Sequence, residues 1–381
     1  MKIALFCHSI LSDWNHGNAH FLRGVATEIA ARGHDVTVYE DEGAWSVRNL
    51  VRDHGASALS AAAGVLSGLR VIRYRPDRLD ADAELERQDL AVVHEWNPRE
   101  LVNRIGRHRA ANSSLRILFH DTHHRSITDP DAIAGCDLAH YDGVLAFGEA
   151  VREHYISRGW AGRAWVWHEA ADVRLFRPFA GERAGDLVWI GNWGDDERSR
   201  ELEEFLLEPV RSLGLQAAVY GVRYPRSALA QLEAAGLHYK GWIPNYRVPE
   251  VFSRFRVTLH VPRRPYVTHL RGIPTIRVFE ALACGIPLIC SPWEDTEGLF
   301  RPGRDFLIAE NGREMVSLLH EVLNDPDLAH SLAASGLETV RTRHTCAHRV
   351  DRLLEICREI GCRNSSRNSS ENGAAKCVLK A

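Results

Sequence analysis

The chain is poor in lysine, has no paired-cysteine motif and contains no long apolar run. Only four of its 47 basic residues are Lys; the others are Arg. Two readings of that bias stay open: guanidinium forks used for anion recognition, or a compositional preference for Arg with no local meaning. The 47 basic residues face 50 acidic ones, a formal charge of −3. No single-sign excess exists to attract nucleic acid or a membrane surface, so neither is expected as a partner. None of the eight Cys stands in a CxxC pair, and Met1 runs straight into KIALFCHSI rather than a secretory leader. Reduced cysteines and a cytoplasmic location are expected. The quietest run, 56–69, is shorter than the roughly 20 apolar residues of a membrane span, so no integral membrane segment is expected.

What is there is ordinary globular material. The chain has 381 residues, 45% hydrophobic and 25% charged, enough for about two or three domains. Its first forty residues read strand (3–6), polar loop (12–18), helix (19–32) and strand (34–39), with Phe21, Leu22, Val25 and Ile29 at helical spacing and Gly33 as a C-terminal stop. Further strands are expected at 90–94, 115–120, 143–147 and 164–167. A second series follows, with strands at 187–191, 215–220, 257–261 and 287–290. Helices are expected at 201–213, 249–255, 277–284, 314–323 and 327–343. Strands alternating with helices predict an α/β fold with two Rossmann-like, doubly wound parallel sheets. Residues 172–185, with Pro178, Gly181 and Gly185, read as the connection between them. The Ser- and Asn-rich stretch 363–381 reads as a disordered tail.

Open parallel sheets bind ligands beyond the carboxyl ends of their strands, so chemistry is sought there. Four stretches stand out. The loop Asn15-His16-Gly17-Asn18 precedes a helix start, where free amides can hold an anion, although it is not a clean GxGxxG. The run His120-Asp121-Thr122-His123-His124 ends a strand. It can supply a general acid or base, hold a metal, or be polar loop filler. Gly191-Asn192-Trp193-Gly194, with Arg198 beyond it, can admit a phosphate to the backbone and neutralise it. Finally, Arg271 to Ser291 holds a Gly272-Pro274 turn, Thr275 as a helix cap, and Glu280 among apolar neighbours. A carboxylate there needs a partner: a ribose diol, or Arg277 three residues earlier. Trp14, Trp96, Trp193 and Trp242 are either core residues or surfaces for stacking a sugar.

The segment RVFEALACGIPLICS resembles the donor-binding core of GT-B glycosyltransferases of the "glycosyl transferases group 1" type. GDLVWIGNWGDDERSR is similar to the first strand and phosphate-side loop of their donor domain. HYKGWIPNYRVPEVFSRFRVTLHV is similar to the run leading into the nucleotide pocket, and EAADVRLFRP to the interdomain junction. The grouping of Arg277, Phe279 and Glu280 looks closest to the CgeB-like (spore maturation type) branch. The resemblance spans nearly all of 1–362 and is strongest over 186–349.

The resemblance implies a GT-B fold, with two Rossmann-like domains facing an interdomain cleft. Residues 1–177 would be the acceptor domain and 178–345 the nucleotide-sugar donor domain, with a helix at 346–361 crossing back onto the first. It implies transfer of a sugar from a nucleoside-diphosphate sugar to an unidentified acceptor, with retention of configuration and no metal or other cofactor. Glu280 would bind the ribose. Asn192, Arg198 and either Arg263 or Arg264 would face the diphosphate, with the amides near Thr275 and Ile276 and the side chain of Arg277. His120 or His123, with Asp121, would serve the catalytic centre, and Asn15 to Asn18 the acceptor side. Where the family's Glu-x7-Glu motif carries its first Glu, this chain has Gly272. Two alternatives follow: a nucleotide-sugar epimerase or phosphorylase on the same fold, or a binding scaffold without turnover.

Overall fold

The computed structural model describes residues 1–362, and the tail expected at 363–381 lies outside the described residues. The first seven strands are β1 (Lys2–Cys7), β2 (Asp35–Asp41), β3 (Arg70–Tyr74), β4 (Leu90–His94), β5 (Arg116–Asp121), β6 (Gly143–Ala146) and β7 (Ala164–Val166). They form one parallel sheet in the order β3-β2-β1-β4-β5-β6-β7. The next six are β8 (Leu187–Ile190), β9 (Ala217–Tyr220), β10 (Leu237–Tyr239), β11 (Val257–His260), β12 (Leu288–Cys290) and β13 (Leu307–Ile308). They form a second sheet in the order β10-β9-β8-β11-β12-β13.

The central strands β4 and β8 are buried along their whole length, as their apolar runs LAVV and LVWI require of strands covered on both faces. Each sheet reverses its winding once, between β1 and β4 and between β8 and β11. The loops after those strands flank the crevices where open α/β sheets take ligands.

Three features join the halves. One apolar cluster runs unbroken from Ile3 and Leu5 through Phe21, Trp167 and Phe176 into Val278 and Phe279. The same cluster includes Val350 and Leu353 of the last helix, Cys346–Glu359. That helix starts at a capping box built by Thr345 and His348 and lies against the helix Asn18–Ala31. The approach is close: a Cβ on Gly24 would meet Cys346 Sγ at 2.3 Å. Arg32 donates to the Ala347 carbonyl at 3.0 Å, and Trp167 Nε1 to the Arg349 carbonyl at 2.8 Å.

Several elements are absent from the sequence-based expectation. The helices Trp45–His54 and Ala56–Val65, and strands β3 and β10, lie in stretches where the pattern is weak. Ala56–Val65 buries only Ala62, so it carries no apolar stripe. The edge strand β3 places exposed Arg70 and Arg73 on either side of half-buried Val71 and Ile72, so it has no clean period-two pattern. The helix expected at 201–213 begins at Ser199 and carries a π-helical turn over Glu203–Leu207.

Candidate functional site

Between the sheets lies a cleft of about 730 Å³. The first domain lines it with Asp13 to Asn18, Trp45, Trp96, His123 and Glu169, and the second with Gly191, Asn192, Arg198, Arg263, Asn245 and Thr275 to Arg277, among others. Among the described residues, no helix is long and apolar enough to cross a membrane.

Three guanidinium groups meet at one end. Arg198 is held by the carbonyls of Asn192 at 2.6 Å and Val261 at 2.9 Å, by Asn192 Oδ1 at 2.6 Å, and over the Trp189 ring at 5.1 Å. Its Nε finds no partner. Burial, followed by repulsion from Arg263, pulls its pKa down to about 9, so it remains charged at neutral pH. Arg263 is paired with Glu197 at 2.8 Å, and Arg277 with Glu280. Like charges gathered in a concave site are costly without an anion, and the helix Ile276–Ala283 starts beside them.

Thr275 holds the N-cap position of that helix, but its side chain does not cap it. Its hydroxyl instead meets His260 Nε2 at 3.1 Å. This corrects the expected cap. The N-terminal amides are approached from the first domain: Asn18 donates to Glu169 at 2.9 Å, and the Glu169 carboxylate accepts from the Ile276 backbone. Gly17 passes so near that a Cβ there would sit 3.0 Å from Ile276 Cγ2. Asn15, in the left-handed region at φ 50°, accepts a hydrogen bond from Asn192. The loop Asn15 to Asn18 therefore contacts the start of the second domain's helix directly.

Glu280 is fully buried and does not line the cleft. It pairs with Arg277, accepts from Asn245 Nδ2 at 2.6 Å and lies 3.0 Å from His20 Nδ1. Burial would raise its pKa, but Arg277, His20 and Asn245 together bring it below the ordinary carboxylate value. Asn245 does line the cleft, so the carboxylate is one side chain removed from it.

The histidine run divides. His123 lines the cleft, with Nδ1 unpartnered. Burial first, then His124 and Arg125, holds it neutral at about 2. His120 does not reach the cleft: it is fully buried against Phe21, His94 and Trp167. Asp121 is also fully buried, accepting from Tyr155 Oη at 2.8 Å and the His123 amide at 3.0 Å. Both are corrections to the expected catalytic placement. They end an interior strand, and alternation along it leaves the next loop residues to face the cleft. Among the described residues, no group of three or more His, Cys, Asp or Glu side chains is placed to hold a metal ion. Arg264 pairs with Glu201 at 2.8 Å and does not line the cleft.

Gly272 has φ +88°, and a Cβ there would meet Thr296 Oγ1 at 2.3 Å and Glu297 Cγ at 2.9 Å. The space for a side chain at this position is filled by the 296–297 loop. Glu297 itself joins the domains, accepting from the Glu149 amide at 2.8 Å and lying 2.7 Å from His168 Nε2.

Sequence reasoning missed Glu169, Asp13, Asn245 and His20. Asp13 holds Arg23 at 2.8 Å, Trp242 Nε1 at 3.2 Å and the Asn245 amide at 3.0 Å. Glu169 begins the segment that resembles the interdomain junction, which was the available signal. Burial, the dominant influence, pushes its pKa up to about 7.

This geometry defines the class: two Rossmann-like domains around a cleft, the GT-B architecture. Residues 198–355 match a family model described as "Glycosyl transferase-like". A search of the curated proteins found no match. Among solved structures, the chain is similar to sucrose-phosphate synthase from Thermosynechococcus elongatus, at 16% identity and TM-score 0.67, covering 94% of this chain and 99% of that one. It is also similar to Anabaena Alr3699/HepE in complex with UDP and glucose, at 13% identity and TM-score 0.65, covering 93% and 99%. An α-glucosyltransferase in complex with UDP and a 13-mer DNA containing an HMU base matches at 12% identity and TM-score 0.68, again covering 93% and 99%. At these identities the likeness establishes the fold.

Proposed function

We propose that this protein is a glycosyltransferase that moves a sugar from a nucleoside-diphosphate sugar to an acceptor hydroxyl with retention of configuration. The observation that carries this reading is the convergence of Arg198, Arg263 and Arg277 at one end of the cleft, beside the start of the helix Ile276–Ala283. A diphosphate leaving group develops negative charge as the anomeric C–O bond breaks. Preorganised donors at that position supply about 3–4 kcal/mol each. The electron pair stays on the diphosphate, the acceptor oxygen bonds to the anomeric carbon, and the acceptor proton passes to the departing phosphate oxygen.

The donor occupies the second domain's wall, with Asn245 and the Glu280 behind it serving the ribose. His123 faces the reacting region as a neutral hydrogen-bonding group. The match over 198–355 supports the donor side of the reading. A UDP-hexose donor is favoured because fold relatives were solved with UDP and glucose. The Arg277, Phe279 and Glu280 grouping favours the CgeB-like branch within the superfamily. No cofactor enters the proposed step.

Incubation with UDP-hexoses and an acceptor mixture, followed by NMR of the product's anomeric proton, tests this. Appearance of the donor's own configuration in a new glycoside supports retaining transfer. An epimerised nucleotide sugar without acceptor, or binding with no donor consumption, refutes it.

A further inference from the structure

The amide that the donor's diphosphate would use already has an occupant. Glu169 lines the cleft beside Thr275, Ile276 and Arg277. Its carboxylate accepts from the Ile276 backbone amide and from Asn18 Nδ2, the latter at 2.9 Å. The carboxylate comes from the junction that follows the first sheet, whereas the amide starts the second domain's helix Ile276–Ala283. A carboxylate and a phosphate are alternative partners for one helix N-terminus. Close by in the same cleft, Arg198 keeps a buried Nε without a partner, so the corner is still short of an anion.

The backbone behind Glu169 is pinned. Arg349 of the last helix donates to the His168 carbonyl at 2.9 Å and to the Glu169 carbonyl at 3.3 Å. His168 is paired with Glu297 at 2.7 Å, and the Ala171 carbonyl accepts from the Cys346 amide at 3.0 Å. Release of the Ile276 amide therefore falls to the Glu169 side chain, and its charge sets the cost. An ionised carboxylate stripped of its donors would stay buried, facing both Glu280 and an incoming diphosphate. A neutral carboxyl would give up only ordinary hydrogen bonds. Burial, with Glu280 adding to it and Asn18 opposing it, brings the group up to about 7, so both forms exist near neutrality. The surrounding groups are accounted for. Glu280 is tied to Arg277, His20 and Asn245, and Tyr266 is pushed up by burial and then by Glu169, so it keeps its proton. Glu95, which also acts on Tyr266, is brought up to about 8 by burial first, and Arg198 titrates at about 9.

We propose that Glu169 gates the donor site: its ionised carboxylate is a built-in anion that excludes the diphosphate from the Ile276 amide, and the donor binds the form in which that carboxyl has taken a proton from solvent. The gate belongs to the first domain's junction and the amide to the second domain, so emptying it also releases a contact between them. With the group near 7, its protonated fraction falls about tenfold between pH 6 and pH 8, and donor affinity follows. The inference rests on the transferase reading for the identity of the anion.

Calorimetric titration of the full-length protein with UDP-, GDP-, ADP-, CDP- and TDP-glucose tests this, because their diphosphate diesters do not titrate between pH 6 and pH 8. The donor that binds at pH 6 is then measured at pH 8, in buffers of different ionisation enthalpy, with the parent and Glu169→Gln. Parent affinity is expected to fall about tenfold from pH 6 to pH 8, with close to one proton taken up per donor at pH 8. Glu169→Gln should bind equally well at both pH values, about tenfold tighter than the parent at pH 8, and take up no proton. A parental slope that persists in Glu169→Gln belongs to another group, such as Glu95, and overturns the gate. Binding by the parent at pH 8 without proton uptake overturns it whatever the variant does, and leaves the transferase reading standing. No binding of any of the five, by the parent at pH 6 or by Glu169→Gln at either pH, would overturn the transferase reading and the gate together.

Discussion

His20 Nδ1 lies 3.0 Å from Glu280 Oε1, across the boundary between the two domains. The other ring nitrogen of His20 accepts from the Asp172 backbone amide at 2.8 Å, so Nδ1, facing the carboxylate, carries a hydrogen. A helix of the first domain thus helps hold a buried carboxylate of the second. Glu280 is also the counter-ion of Arg277, and removing one partner of a buried ion pair strands the other, at a cost of about 3–5 kcal/mol. Glu280→Ala is therefore expected to lower the melting temperature as well as nucleotide affinity. Glu280→Gln keeps the shape and should lose affinity with a smaller stability loss. Calorimetry on both variants checks this, and equal stability of Glu280→Ala and the parent would contradict it. Because the carboxyl's pKa is depressed on folding, its stabilising contribution is present above its ordinary value of 4.5 and is lost as pH falls through the folded value.

Arg198 is the guanidinium most committed to the cleft, since its own contacts are carbonyls and an amide oxygen rather than a carboxylate. Arg198→Lys would retain charge but lose the fork that reaches both Asn192 and Val261. Turnover is expected to fall by about 10²–10³. Steady-state kinetics with a UDP-sugar measure this, and a change under threefold would remove Arg198 from the leaving-group site.

Gly272 leaves no room for the first Glu of a Glu-x7-Glu motif. The left-handed backbone disfavours any side chain, and Thr296 Oγ1 lies 2.3 Å from where a Cβ would sit. Gly272→Glu should destabilise the protein by at least about 2 kcal/mol and should not raise activity. A chemical denaturation curve decides the matter: unchanged stability with higher turnover would show that the space is available after all.

Glu169 should make the fold less stable as pH rises. Its pKa is raised from 4.5 to about 7, so the protonated form is favoured in the native state. That favour is complete below 4.5 and is lost as pH climbs through 7, a swing on the order of 3 kcal/mol. Glu169→Gln should flatten melting temperature against pH over that window. An identical slope in parent and variant would contradict the assignment.

Much of the fold was legible because its central strands are buried on both faces and its long helices carry apolar stripes. VVH of β4 and LVWI of β8 left little choice, and Gly33 at φ +81° stops the first long helix as its position suggested. The helix Ala56–Val65 was illegible because it packs so little of itself. Site residues supplied by strand-end loops were partly readable: Asn15 to Asn18, Asn192, Arg198, Arg263 and Arg277 do line one cleft. His120 misled because sequence gives the element but not whether a side chain near its end turns inward, whereas Glu280 took the Arg277 partner that was one of its two readings. His20 and Asn245 were invisible because their importance arises only where the two domains meet, and Glu169 was marked only by its place at the start of the junction-like segment.

The central claim is that the arginine corner binds a nucleoside diphosphate. Calorimetric titration with UDP, GDP, ADP, CDP and TDP, in parent protein and Arg198→Ala, tests it most directly. Selective binding of one diphosphate, weakened about 10- to 150-fold in the variant, is the predicted result, in keeping with loss of a charged hydrogen bond of about 1.5–3 kcal/mol. Binding of none of them by a folded parent protein, or an affinity the variant leaves unchanged, would contradict the account.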